Sequence, residues 1–187
     1  GVLQPKTSYS SKIFEPRVTF QVPNAGWFNE FDGHGELPLV SHDAAGDTVI
    51  FLREPRAPDD SVGASIDEIA AWLATFDQVS MTPAKAVKLG GLNGVMMDVA
   101  VAPGATAWDP QCPVRVCVPY LHGRDPVVGD AYPWDWDWGV AGPEKERLYL
   151  LDASDGTIAV VVDSLDGTTF DSLVGIWEQI VPTIRFG

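Results

Sequence analysis

The chain has 187 residues, 45% of them hydrophobic and 20% charged, a balance that describes one globular domain able to bury a core without metal or disulfide staples. Twelve Lys and Arg stand against 26 Asp and Glu, a net charge of −14 with no basic cluster, which argues against nucleic acid and against docking on anionic lipid headgroups. No uncharged apolar stretch approaches the ~18 residues needed to cross a bilayer, so no transmembrane segment is expected.

Residues 1–16 are polar and carry no cationic-then-apolar leader, Gly in place of Met at position 1 suggests that the true start has been removed, and the stretch reads as a flexible N-terminal arm or tether to a single domain over 17–187. Arg17 to Val22 alternates with Val18, Phe20 and Val22 on one face, and Pro23-Asn24-Ala25-Gly26 before Trp27 to Phe31 suggests a hairpin. Residues 32–46 have a loop composition, Asp47 to Glu54 predicts a strand, and residues 55–64 return to loop. Ser65-Ile66-Asp67-Glu68 is a capping box, in which the Ser hydroxyl accepts the Glu68 amide and the Glu carboxylate returns to Ser65. It opens a helix that buries Ile66, Ile69, Leu73 and Phe76 and ends near Asp77.

Val87 to Leu89 and Val95 to Val101 predict two strands meeting at a Gly90-Gly91 turn or bulge. Glu146 to Asp152 and Thr157 to Asp163 flank Ser154-Asp155-Gly156, and Asp-Gly between β-rich runs is a strong hairpin signal. Thr168 or Thr169 then caps a second helix with Phe170, Leu173, Val174, Trp177, Ile180 and Val181 as its apolar stripe, Pro182 stops it, and Ile184 and Phe186 make a closing strand. Two helices among runs of antiparallel strands predict an α+β fold, an antiparallel sheet flanked by helices.

Between the core strands, residues 103–143 hold seven of the 15 prolines and four of the seven tryptophans around one short strand at 114–118. A Pro/Trp-rich loop excursion of this length is a place where scaffolds put binding groups, and its four Trp argue against disorder. If Tyr132-Pro133-Trp134-Asp135-Trp136-Asp137-Trp138 is extended, its period of two sets Trp134, Trp136 and Trp138 on one side about 6.6 Å apart, with Asp135 and Asp137 on the other. Such a platform stacks on sugars, flat rings or an amphipathic partner, while the acids hold hydroxyls or Ca²⁺; the alternative is that the Trp residues lid the domain's own core. Trp108-Asp109 repeats the Trp-Asp pairing at the other end, with His122 and Arg124 between. The candidate ligand-binding set is therefore Trp108, His122, Arg124, Tyr132, Trp134, Asp135, Trp136, Asp137 and Trp138.

There is no GxSxG elbow, Walker loop, HExxH, CxxC or post-strand GxGxxG, so no catalytic residue is assigned and the chain leans away from enzymes. His34 and His42 share a loop with Asp32, Glu36 and Asp43, a mixture suited to a metal but with no closed-site spacing, so no metal and no cofactor is assigned. Cys112 and Cys117 would sit about 16 Å apart on opposite faces of a continuous strand, so a disulfide demands a turn, which Pro113 suits. A bridge between them is the expectation, with two separate thiols the alternative.

Several stretches together resemble the PsbP-like family, small α/β/α sandwich domains found in exported bacterial lipoproteins, in the photosystem II extrinsic subunit and in a Ran-binding nuclear import factor. They are Arg17-Val18-Thr19-Phe20-Gln21-Val22-Pro23 leading to Gly26-Trp27, Ala71-Trp72-Leu73, and Val87 to Gly94. Arg147 to Asp152, Asp155-Gly156 and Thr183-Ile184-Arg185-Phe186 complete the pattern. High Gly, Pro, Trp and Asp with only five Lys is similar to exported lipoproteins of high-GC Gram-positive bacteria. The resemblance implies a non-catalytic binding or accessory role outside the cytoplasm, secreted or lipid-anchored at the cell surface, with a protein or cell-envelope component as partner. It transfers no site residue, and the 103–143 excursion departs from it. Two alternatives are a carbohydrate- or cell-wall-binding module using the Trp platform and a hydrolase using loop carboxylates and His.

Overall fold

The computed structural model describes residues 1–41, 47–58, 62, 65–107, 116–123 and 137–187. Its centre is an eight-stranded antiparallel sheet. Strands β3 (Trp27–Asn29), β4 (Glu36–Ser41), β5 (Thr48–Arg53), β12 (Gly156–Ser164), β11 (Lys145–Ala153), β8 (Leu92–Val101) and β6 (Val79–Met81) lie side by side in that order, and β7 (Lys85–Leu89) also pairs with β8. Among the described residues, a three-stranded sheet of β1 (Ser8–Ser10), β2 (Val18–Gln21) and β13 (Arg185–Phe186) and a two-stranded ribbon of β9 (Cys117–His122) and β10 (Asp137–Ala141) complete the β structure, with helices α1 (Ile66–Thr75) and α2 (Phe170–Ile180).

The central sheet is buried on both faces, which is why its inner strands read as continuous apolar runs. On β12, Ile158, Val160 and Val162 join a core with Phe14, Phe20, Phe51, Leu173 and Trp177, from the N-terminal segment, β2, β5 and α2. The intervening Ala159 and Val161 join a second core with Ile69 and Leu73 of α1 and with Val118, Tyr120 and Val140 of the ribbon. The layers are thus α2 with the small sheet, the central sheet, then α1 with the ribbon, an α+β sandwich as the patterning predicts.

Local signals explain most elements. Ser65 caps α1: its Oγ accepts the Glu68 amide at 3.3 Å, and its hydroxyl donates to Glu68 Oε2 at 2.6 Å, so the return contact runs to the side chain rather than to the Ser65 amide. The Ser154-Asp155 turn sets β11 against β12 with Ala153 opposite Gly156 and carries that register back to Lys145 opposite Ser164. Gly90 and Gly91, both at positive φ, turn β7 into β8. Thr169 stands at the start of α2 but makes no side-chain cap bond; its hydroxyl donates to the Asp166 carbonyl at 2.8 Å, which closes the preceding loop instead.

Three expectations are corrected. Residues 1–16 are no arm: β1 pairs with β2, Leu3 donates its N–H to the Trp27 carbonyl, and Phe14 is fully buried, because Leu3 and Phe14 carry enough apolar surface to pull this polar stretch onto the core. The stretch from Trp27 does not hairpin with β2. It pairs instead with β4, a strand inside residues 32–46, where Leu37 and Leu39 alternate into the core beneath a loop-like composition. Within the excursion the described strands are Cys117–His122 and Asp137–Ala141, an antiparallel ribbon rather than one strand at 114–118, whose residues 114 and 115 lie outside the described residues.

Candidate functional site

The polar feature of the interior lies where the ribbon covers the central sheet. Glu146 on β11 and Asp163 on β12 are register partners. Glu146 shares its side of β11 with Leu148 and Leu150, and Asp163 shares its side of β12 with Ala159 and Val161, so both carboxylates project into the core between the sheet and the ribbon. They are 0% and 4% exposed. Glu144, half-buried on the turn from β10 to β11, brings a third carboxylate, and one oxygen from each of Glu144, Glu146 and Asp163 lies within 4.8 Å of the others.

Backbone geometry builds this cluster. The register of the ribbon shifts between Trp138 and Gly139, so that Leu121 and Pro119 find partners while Tyr120 between them finds none. That bulge turns Tyr120 inward next to the buried Leu121. The fully buried Tyr120 hydroxyl donates to Glu146 Oε2. The turn that carries Glu144 is fastened by the Glu144 N–H to the Ala141 carbonyl at 3.0 Å, by the Ala141 N–H to Glu144 Oε2, and by the Gly167 N–H to the Pro143 carbonyl at 3.1 Å. Gly167 is required there, since a Cβ would stand 2.3 Å from that carbonyl oxygen.

Electrostatics follow from burial and like charge. Burial raises the Glu146 carboxyl well above the usual carboxylate range, the Asp163 and Glu144 charges raise it further, and the Tyr120 hydroxyl and the Trp138 indole oppose them. Asp163 is raised well above its ordinary value by burial, then by Glu144 and Asp47. Glu144 is raised by burial against the pull of the Ala141 amide. Asp47, 1% exposed beside the start of β5, is raised by burial while Ser164 and the Leu165 backbone hold it back. Burial and the Glu146 charge also push the Tyr120 phenol well above 10.0. Glu146 Oε1, Asp163 Oδ1 and Asp47 Oδ1 have no hydrogen-bond partner. Neither has Trp138 Nε1, which bears on the Glu146 carboxyl without reaching it at hydrogen-bond geometry.

Of the binding set expected from sequence, the structure places two side chains. Trp138 packs half-buried against the core on the ribbon side, so this Trp turns its indole nitrogen inward. His122 ends β9 and exchanges backbone hydrogen bonds with Arg56 at 2.8 and 2.9 Å. Asp137 sits opposite His122 in the ribbon register. Trp108, Arg124, Tyr132, Trp134, Asp135 and Trp136 lie outside the described residues. Cys117 is disulfide-bonded, while Cys112 lies outside the described residues.

Of the histidine loop, His42 and Asp43 lie outside the described residues. Asp32 has a structural use, accepting the backbone N–H groups of Lys12, Ile13 and Phe14 and so fastening the N-terminal segment. Glu36 is raised to about 7 by burial and by Glu30.

Sequence reasoning missed the acid cluster, although one signal was there. A two-residue loop at Ser154-Asp155 pairs Ala153 with Gly156 and therefore Glu146 with Asp163, two acids at inward positions of strands with apolar inner faces.

No protein-family model matches the chain, and no curated protein matches it in sequence. Among solved structures it is similar to cyanobacterial PsbP (CyanoP) from Synechocystis sp. PCC 6803, at a TM-score of 0.51 and 9% identity, covering 100% of this chain and 96% of that one. A protein from Bacteroides thetaiotaomicron VPI-5482 matches at a TM-score of 0.39 and 12% identity, over 91% of this chain and 45% of that one. The chain therefore has a PsbP-like fold, extending over its whole length.

Proposed function

We propose that this PsbP-like domain is a non-catalytic accessory or binding protein that works outside the cytoplasm, secreted or lipid-anchored at the cell surface. The whole-chain likeness to cyanobacterial PsbP carries the reading, since it reaches from the N-terminal strands to the closing strand. It constrains function at the level of fold. The disulfide at Cys117 supports the compartment, because such bonds persist in oxidising environments and are reduced in the cytosol. The acidic surface, with a net charge of −14, favours a protein or cell-envelope partner over nucleic acid.

The test is to fuse the full gene product to a reporter that is active only after export, and to alkylate the native protein in intact cells before and after reduction. The expected result is an active reporter, with Cys117 labelled only after reduction. A reporter silent in exported form, together with thiols that react at once, would sink the proposal.

A further inference from the structure

The acid cluster is unexplained by an accessory role. Buried polar groups are normally satisfied, so orphaned oxygens in a core call for a missing partner. Glu146 Oε1 and Asp163 Oδ1 belong to side chains 0% and 4% exposed and face one another across one hairpin register, both without a partner. Asp47, 1% exposed, flanks Asp163 closely enough for its charge to bear on it, and its Oδ1 is orphaned as well. Charges that bear on Glu146 and Asp163 are negative, from Glu144, Asp47 and each other. A small cation would supply the missing partner of Glu146 and Asp163, whose oxygens lie together with one of Glu144.

We propose that Glu144, Glu146 and Asp163 form a binding site for a hard divalent cation, Ca²⁺ in the first place. The donors are all carboxylate oxygens, the set that suits Ca²⁺, Mg²⁺ or Mn²⁺ rather than softer metals. Their oxygens lie within 4.8 Å of one another, about the reach of two Ca²⁺–O bonds of about 2.3–2.6 Å each, and Ca²⁺ accepts irregular oxygen geometry where Mg²⁺ demands a near-ideal octahedron.

The surroundings are arranged for this. Tyr120 donates to Oε2 of Glu146 and leaves Oε1 to the ion, holding the ligand as outer-shell partners do. Trp138 sets an unpartnered indole N–H beside the cluster, where a water on the cation would accept it. Glu144, half-buried on its turn, is the side facing solvent and so the route of entry. The site ties β11 and β12 to the ribbon turn.

The experiment is a Ca²⁺ titration of the chelator-treated full chain near neutral pH, by calorimetry. It is paired with Tb³⁺ luminescence excited through tryptophan. The expected result is one saturable site, Tb³⁺ emission displaced by Ca²⁺, and a higher Tm with Ca²⁺. Glu146→Gln and Asp163→Asn abolish all three readouts, Glu144→Gln weakens binding by at least about tenfold, and the exposed Glu178→Gln leaves it unchanged.

If Glu146→Gln does not fold, Glu144→Gln decides, because its side chain is only half-buried and sits on a turn. A folded wild-type chain with no saturable response to millimolar Ca²⁺ or to Tb³⁺ overturns the site. Binding undiminished in Glu144→Gln does so too. Mg²⁺ binding as tightly as Ca²⁺ overturns the assignment to Ca²⁺.

Discussion

Glu146 and Asp163 stand directly opposite one another on β11 and β12, both turned to the ribbon side of the central sheet, and both lose almost all contact with water. Two carboxylates in that position cannot both ionise cheaply, so in the absence of a cation they keep protons that exposed acids would have given up.

That retention sets a pH dependence. A carboxyl raised in the folded state binds its proton more tightly there than in the unfolded chain, so stability is fullest below the unfolded value of 4.5 and falls as pH rises above it. With chelator present, the wild-type Tm is expected to fall as pH rises above 4.5, and Glu146→Gln, which still accepts from Tyr120, to fall less steeply. Thermal unfolding across that range checks it; equal slopes in the two proteins would refute the cause.

Tyr120→Phe removes the hydroxyl that Glu146 accepts and leaves a buried carboxyl oxygen orphaned. The expected cost is about 1–3 kcal/mol in denaturant unfolding. It should shrink when combined with Glu146→Leu, which removes the acceptor, since the two residues are directly coupled.

Glu36 titrates apart from the cluster. Its side chain is expected to show a midpoint of about 7 by carboxyl ¹³C NMR, set first by burial and then by the Glu30 charge. Glu30→Gln should lower that midpoint, and a Glu36 midpoint at its ordinary 4.5 would remove the premise. By the same sign as above, Glu36 costs the fold stability as pH rises from 4.5 through about 7 and the full loss persists above that, and Glu36→Gln removes it.

Gly94 and Gly175 are expected to respond oppositely to alanine. A Cβ on Gly94 would stand 2.0 Å from the Leu150 carbonyl oxygen on the adjoining strand, so Gly94→Ala must part β8 from β11 and should unfold the chain or cost several kcal/mol. Gly175 lies inside α2 with nothing within 4 Å of its Cβ position, so Gly175→Ala should stabilise by about 1 kcal/mol. Chemical denaturation of the two variants separates the cases.

The sequence by itself determined the local elements. Capping at Ser65, the Ser154-Asp155 turn, the Gly90-Gly91 turn and the stripe along α2 were legible because each depends on residues within a few positions of one another. The PsbP-like resemblance was legible for the same reason, as a run of such punctuation in the right order. What only the tertiary structure decided are the pairings between distant segments. Among these are the packing of residues 1–16 through Leu3 and Phe14, the pairing of β3 with β4 rather than β2, and the ribbon that brings Tyr120 over Glu146. A polar segment with two apolar residues reads as a tether until a groove exists to receive them. A glutamate in a strand likewise reads as solvated until another part of the chain covers its face and removes the water that would have solvated it.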